Sequence, residues 1–137
     1  MTDLHKNEAK KALTFTGTFG NASLAHFSRT LAAAQIGDKV YLGVIPKGSR
    51  VFGATMYNAA LGASSTVSLG REAVDGSDTP DDDFFLGATS TASGAKTEDA
   101  NAPWLADKDY YVYGIVGGAA ATGALNVALS YSFEGVK

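Results

Sequence analysis

The densest group of side chains that could do chemistry is a run of five aspartates: Asp75, Asp78, Asp81, Asp82 and Asp83. Clustered carboxylates supply the oxygen ligands that Ca²⁺ prefers. Their spacing does not match an EF-hand loop, because the liganding positions and the terminal glutamate are absent. Adjacent aspartates on an exposed loop would also show little pKa perturbation, which disfavours acid/base catalysis. We predict a long, solvated acidic loop over residues 71–83 and no metal, with a Ca²⁺ site as the alternative.

The histidines and glycines form no recognisable catalytic motif. His5 lies in the polar N-terminal stretch, and His26 stands next to Phe27 without an Asp or Ser partner in a known pattern. The sequence has no G-x-S-x-G elbow, no Walker A loop and no G-x-G-x-x-G fingerprint. It has no cysteine, so thiolate zinc sites and disulfides are excluded. We predict a protein without catalysis or cofactor, although a Ser–His–Asp cluster assembled in space around His26 stays open.

The aromatic residues are better candidates for binding. Trp104 follows Pro103 and precedes an Asp-Lys-Asp triplet, which places it at the edge of a loop. An exposed tryptophan could anchor a partner or stack on a sugar ring. The alternative is a tryptophan that closes one end of a β-sandwich. Tyr110, Tyr111 and Tyr113 are expected in the core or on a sheet surface.

Short strands must position these residues. Residues 40–45, 50–59 and 66–69 read as three successive strands, separated by turns at Pro46-Lys47-Gly48 and Leu61-Gly62-Ala63. We interpret them as a β-meander, with Val40, Leu42 and Val44 on one face of the first strand. The second strand is apolar on both faces, which predicts a central position or cover by a neighbouring subunit.

The C-terminal third gives the clearest periodicity. Residues 110–116 form an apolar run, and residues 117–123 are small. Five apolar side chains then alternate with small or polar ones: Leu125, Val127, Leu129, Tyr131 and Phe133. A period of two indicates a half-buried strand. Burial of each side chain would contribute ~1.5–3 kcal/mol, so this strand should anchor the core. We predict that the two strands form a hairpin.

The remaining segments complete an all-β reading. Residues 1–12 are polar and are predicted to be a flexible arm. Residues 13–19 alternate like a strand, and 24–34 fit either a helix or a strand, with strand favoured by the context. Residues 84–86 return to the core, and a short strand is expected near 89–93. We predict one all-β domain over 13–137, a β-sandwich or jelly roll.

The charge is unevenly distributed along the chain. Residues 1–71 carry eight Lys/Arg against three Asp/Glu, whereas residues 72–109 carry two against ten. Such a split favours head-to-tail contacts between copies or docking on a charged lattice, and two solvated surfaces are the alternative. No basic cluster with interleaved aromatics predicts nucleic-acid binding. No apolar window predicts a membrane span or a secretory signal, so synthesis in the cytoplasm is expected.

Four phrases carry a resemblance to a known family: GDKVYLGVIPKGSRV, ALGASSTVSLG, DTPDDDFFLGATSTASG, and the strand pair around YYVYGIVGG and GALNVALSYSF. Together they span roughly residues 27–133. In these phrases and their order the chain resembles capsid decoration (cement) proteins of tailed phages, of the jelly-roll or β-sandwich type. The resemblance implies a protein on the exterior of the virion, often a homotrimer, that stabilises the shell by bridging major capsid subunits.

Two sets of contact residues follow from this reading. We expect the arm, with Lys6, Lys10, Lys11 and Leu13, to contact the capsid or a neighbouring subunit, and Trp104 to be a further contact. The alternative function is a virion fibre or carbohydrate-binding module that uses Trp104 and nearby tyrosines as a stacking platform. Neither reading requires a cofactor, nucleic acid or a membrane.

Overall fold

A computed structural model describes residues 3–4, 22–98 and 103–133. In these ranges the chain forms ten β-strands and no helix, which confirms the all-β prediction. No helix in this part of the chain is long and apolar enough to cross a membrane. The strands are Asp3–Leu4 (β1), Ala22–Ala34 (β2), Lys39–Ile45 (β3), Ser49–Asn58 (β4), Thr66–Ala73 (β5), Asp81–Ser90 (β6), Ala95–Glu98 (β7), Trp104–Leu105 (β8), Tyr110–Gly117 (β9) and Ala121–Phe133 (β10).

The strands form two sheets packed face to face. Sheet 1 has the order β1-β3-β9-β5-β6, and sheet 2 has the order β2-β10-β4-β7, with β8 also paired to β4. All pairings are antiparallel except β1 with β3. From β2 to β5 the chain alternates between the two sheets. The resulting orders β2-β10-β4-β7 and β3-β9-β5-β6 are those of an eight-stranded jelly roll.

Two predicted strand pairings are wrong. Residues 40–69 do not form a meander, because β3 and β5 belong to sheet 1 whereas β4 belongs to sheet 2. The last two strands do not form a hairpin, since β9 pairs with β3 and β5 while β10 pairs with β2 and β4. The apolar face of a strand must be buried against a facing sheet. Here β3 and β4, and likewise β9 and β10, bury their apolar faces by lying in opposite sheets.

The core lies between the sheets and is anchored by β10. Leu125, Val127, Leu129 and Tyr131 are buried as their alternation predicts, while Phe133 is only partly buried. β10 pairs along almost its whole length with β2 on one side and β4 on the other. Its inward side chains therefore sit at the centre of sheet 2.

Bulges change which face some side chains occupy. In β3 an extra residue between Tyr41 and Gly43 shifts the register against β9. Val40, Leu42 and Ile45 are therefore buried, whereas Val44 is only partly buried and packs with Tyr41 on the outer face of sheet 1. The predicted common face of Val40, Leu42 and Val44 is wrong for this reason. A two-residue period cannot be extended through a bulge.

The bulge in β4 has a similar effect. Val51 pairs with Tyr131 and Gly53 pairs with Ser130, so Phe52 is the extra residue. The strand lies inside sheet 2, but it is not covered on both faces by packed layers of this chain as predicted, because Phe52 on its outer side remains 46% exposed. Cover by a neighbouring subunit stays a prediction. The sequence pattern showed apolar residues on both sides without showing which side would be buried.

Arg29 closes the edge at which β2 and β3 lie side by side. Its Nε and one terminal nitrogen donate hydrogen bonds to the backbone oxygens of Tyr41 (3.1 Å) and Leu42 (2.8 Å). These carbonyls belong to the other sheet, so a single guanidinium ties the two layers together. An inward-pointing charge at a sheet edge also discourages pairing with another chain.

Several predicted boundaries move. The segment 24–34 is strand, as favoured. The acidic loop shrinks to residues 74–80, because β5 continues to Ala73 and β6 begins at Asp81. The short strand expected near 89–93 is instead the end of β6, followed by β7. In the predicted arm, residues 3–4 pair with β3, which the arm prediction missed. The rest of the arm and the strand predicted over 13–19 lie outside the described residues.

Candidate functional site

The acidic side chains gather at one end of sheet 1, where their carboxylates are tied to nearby donors. Asp75 Oδ1 accepts a hydrogen bond from the backbone N–H of Ser77 (2.9 Å), and the bonds from Ser77 lower the pKa of Asp75. Asp78 Oδ2 pairs with Lys108 Nζ (3.2 Å) and accepts from the Tyr110 hydroxyl (3.1 Å). These bonds hold the loop 74–80 against the strand that starts at Tyr110.

Tyr110 links this loop to the segment before β9. Its hydroxyl donates to Asp107 Oδ1 at 2.7 Å, which is shorter than its distance to Asp78. The bond lowers the pKa of Asp107, whereas burial and the two carboxylates raise the pKa of Tyr110 well above its ordinary value. The phenol is therefore held neutral, with its one proton shared between two alternative carboxylate acceptors, of which Asp107 is the nearer.

Trp104 closes this end of the sandwich. Its ring centroid lies 5.0 Å from those of Phe84 and Tyr110, in edge-to-face arrangements. The guanidinium of Arg71 lies 4.1 Å from the centroid of Phe84, 4.7 Å from that of Trp104 and 4.8 Å from that of Tyr110. This geometry is a cation–π cluster in which one charge is enclosed by three rings. Trp104 is only partly buried, but its ring is already packed on its own protein.

An exposed platform of Trp104 and nearby tyrosines is therefore not what the fold builds. Tyr110, Tyr111 and Tyr113 are each no more than 2% exposed, so the alternative in which nearby tyrosines form a stacking platform is wrong for these three. The expectation that they lie in the core or on a sheet surface is confirmed. Tyr110 packs in the main core, and the other two pack with Tyr41 on the outer face of sheet 1.

The tyrosines on the outer face of sheet 1 are also bonded to carboxylates. The Tyr41 hydroxyl lies 3.0 Å and 3.1 Å from the two oxygens of Glu72, which also pairs with Lys39 Nζ at 3.0 Å. The Tyr113 hydroxyl donates to Asp82 Oδ1 at 2.5 Å. Burial and this carboxylate raise the pKa of Tyr113. The carboxylates and the tyrosine hydroxyls on this face are therefore hydrogen-bonded to one another within the chain.

Neither metal binding nor a catalytic triad is supported by these contacts. Asp75, Asp78 and Asp82 are directed to different donors, and no three metal-ligating side chains converge among the residues the structure describes. His26 is exposed on β2, with its Nε2 3.2 Å from the amide oxygen of Asn126. Among the described residues, this contact joins His26 to an amide and brings no serine or aspartate side chain to the ring.

The predicted contact residues are only partly placed. Lys6, Lys10, Lys11 and Leu13 lie outside the described residues, so their role stays a prediction. Sequence reasoning missed Arg71 and Glu72, which organise the two clusters. Phe84 is 13 positions from Arg71 and the other partners are about thirty positions away or more, and no local motif connects them.

Comparison with solved structures finds the same fold in phage capsids. A chain in the capsid of Ralstonia phage GP4 is 17% identical, with a TM-score of 0.74 and 98% of each chain covered. A chain in the cyanophage Pam1 capsid is 21% identical, with a TM-score of 0.64 and coverage of 93% of this chain and 96% of that one. A chain in the acid-stable capsid of Helicobacter pylori bacteriophage KHP30 is 19% identical, with a TM-score of 0.59 and coverage of 85% and 90%.

Comparisons by sequence give no match. No protein-family model matches the chain, and no curated protein does so either. At these identities the three structural likenesses establish a shared fold, and they do so over nearly the full length of each chain.

Proposed function

We propose that this chain is a structural protein of a phage virion. In this proposal it binds the outer surface of the assembled capsid as a homotrimer and bridges neighbouring major capsid subunits without catalysing a reaction. The observation that carries the proposal is the likeness to a chain in the capsid of Ralstonia phage GP4, which covers 98% of each chain with a TM-score of 0.74.

The contacts at the acidic end support a structural rather than a catalytic role. Its buried phenols are held neutral by ionised carboxylates, and its arginine is enclosed by aromatic rings. Groups bound in this way rigidify a surface. They are poorly suited to exchanging protons with a substrate, since each already has a fixed partner.

Binding linkage explains how such a protein would stabilise a shell. A ligand that binds only the assembled state stabilises that state by RT ln(1 + [L]/Kd), about 2.7 kcal/mol per site at a hundredfold excess over Kd. A capsid offers many equivalent sites, so a modest affinity at each produces a large total effect. The uneven charge of the chain suits docking on a surface of opposite sign.

The test is to mix the purified protein with undecorated capsids of the phage that encodes it and to measure occupancy by electron microscopy. We expect regular density on the outer surface and a higher temperature of capsid disruption. Unoccupied capsids at saturating protein would refute the proposal. Density inside the shell would refute the exterior location.

The predicted arm contacts need a separate variant. Replacing Lys6, Lys10 and Lys11 together by alanine should lower occupancy if these cations contact the capsid. The control replaces Lys47, an exposed lysine in a turn of the folded domain, and should leave occupancy unchanged. Equal occupancy for both variants would remove the arm lysines from the interface.

A further inference from the structure

The outer face of sheet 2 concentrates exposed apolar side chains. Leu24 on β2 pairs with Ser130 on β10, which in turn pairs with Gly53 on β4, and the bulged Phe52 lies beside Gly53. At ~4.8 Å between neighbouring strands, Leu24 and Phe52 are about 10 Å apart on one face. Leu24 is 69% exposed and Phe52 is 46% exposed.

Two more large apolar side chains extend this patch. Tyr57 lies further along β4 and is 42% exposed, and Leu105 of β8 is 36% exposed beside Arg50. Trp104 packs inward, so its neighbour Leu105 points to the outer face. The other exposed large hydrophobic residues of the described ranges, Ile36 and Val74, lie in connections outside the sheets. Exposed apolar side chains gathered on one face mark an interaction surface.

The rest of the face carries little charge. Small or neutral side chains separate the apolar ones: Thr55, Asn126, Ala128 and Ser130. Lys96 and Glu98 form an ion pair at 3.3 Å on the short outer strand β7, and Arg50 lies beside β8. Along β2, β10 and the middle of β4 the face therefore has no carboxylate, in contrast to the acidic end of sheet 1.

We propose that this face of sheet 2 is the surface through which copies of this chain contact one another, with Leu24 and Phe52 at its centre. The inference rests on the proposed homo-oligomeric structural role. Side chains near a symmetry axis meet their own copies, so a face shared by identical chains must not repel itself. A neutral, partly apolar face meets that condition, whereas the run from Asp75 to Asp83 would place like charges together.

The size of the face agrees with this occupant. Strands of 13, 13, 10 and 4 residues, at ~3.3 Å per residue and ~4.8 Å between strands, give a footprint of roughly 600 Å². A specific interface buries roughly 600–1,000 Å² per partner. The face is therefore large enough to contact a neighbouring copy around the symmetry axis of the proposed homotrimer.

The test is the mass of the chain in solution by sedimentation equilibrium across roughly 1–100 μM. We expect the unaltered protein to be oligomeric, and we expect Leu24→Lys and Phe52→Lys each to raise the dissociation constant about tenfold or more. The matched controls are Ile36→Lys and Val74→Lys, which make the same change at exposed apolar positions off the face. They should behave like the unaltered protein.

A cross-linking measurement guards against loss of folding. The chain has no cysteine, so Ser130→Cys introduces one thiol on this face and Ser77→Cys introduces one in the acidic loop. A bifunctional maleimide should link copies through position 130 and not through position 77. A monomeric protein, unchanged mass in both lysine variants, or equal linking at the two positions would overturn the inference.

Capsid binding separates this inference from the proposed function. An oligomer that dissociates in the Phe52→Lys variant but does not bind capsids would leave the contact between copies standing and refute the capsid role. A monomer whose capsid binding is lost in the same variant would assign the face to the capsid and overturn the inference alone.

Discussion

Raising the pH above about 10 should unfold this protein through Tyr110 and Tyr113. The two side chains are 2% and 0% exposed, and their hydroxyls donate to Asp107 at 2.7 Å and to Asp82 at 2.5 Å. Ionising either phenol would place its negative charge against a carboxylate in a buried position. Both pKa values are accordingly raised above the ordinary value of about 10.

The direction of the effect follows from proton binding. Above pH ~10 the unfolded chain loses these two phenolic protons while the folded chain keeps them. The free energy of unfolding therefore retains their full contribution below that pH and falls above it. Each proton that only the folded chain retains lowers the free energy of unfolding by about 1.4 kcal/mol per pH unit, and the two together lower it by about 2.7 kcal/mol per unit. Between pH 10 and pH 12 the loss approaches ~5 kcal/mol, comparable with the whole stability of a marginal domain.

Urea unfolding at several pH values, followed by the fluorescence of the single Trp104, measures this slope. The Tyr113→Phe variant should lose about half of the slope above pH 10. Tyr57→Phe, which removes a hydroxyl from a side chain that is 42% exposed, should retain it. Stability that is flat between pH 10 and pH 12, or the same slope in Tyr113→Phe as in the unaltered protein, would refute the reasoning.

Three further substitutions test the packing, each by urea unfolding. Gly43→Ala should destabilise by ~1–3 kcal/mol because a Cβ there overlaps the ring of Phe27. Adding Phe27→Leu to the same chain should recover part of the loss, and additive effects of the two substitutions would contradict the overlap. Leu129→Ala should cost ~2–5 kcal/mol from a site that is 2% exposed, and a cost below ~1 kcal/mol would show that the site collapses. Arg71→Met should cost ~0.5–2 kcal/mol and alter Trp104 fluorescence, and unchanged fluorescence would argue against the cation–π cluster.

Local pattern was informative wherever a strand kept its period. The alternation from Leu125 to Tyr131 predicted both the strand and its buried face, because a side chain in an extended chain can point to only two sides. The same rule failed at Val44, where a bulge reverses the alternation. A bulge depends on the partner strand, and its one local sign in β3 is Gly43, since a glycine inside a strand often marks a bulge without showing which side chains it redirects.

The candidate sites were harder to predict than the strands. The aspartates were recognised as a group, but their partners Tyr110 and Tyr113 come from a strand about thirty residues away, and only the sheet brings them together. Trp104 was considered for an exposed platform, yet packing against Phe84 and Arg71 places it at the end of the core. Phe52 became a candidate contact residue only when the bulge in β4 turned it outward.

Composition and periodicity were enough to predict an all-β chain with an acidic segment, no cysteine and no catalytic motif, since both act over a few residues. Strand pairing could be read only from the folded chain, because β9 and β10 are adjacent in sequence and yet lie in opposite sheets. The tertiary structure also decided which apolar side chains are left on the surface. Burial is a property of two sheets meeting, and a single strand cannot specify which of its faces will be covered.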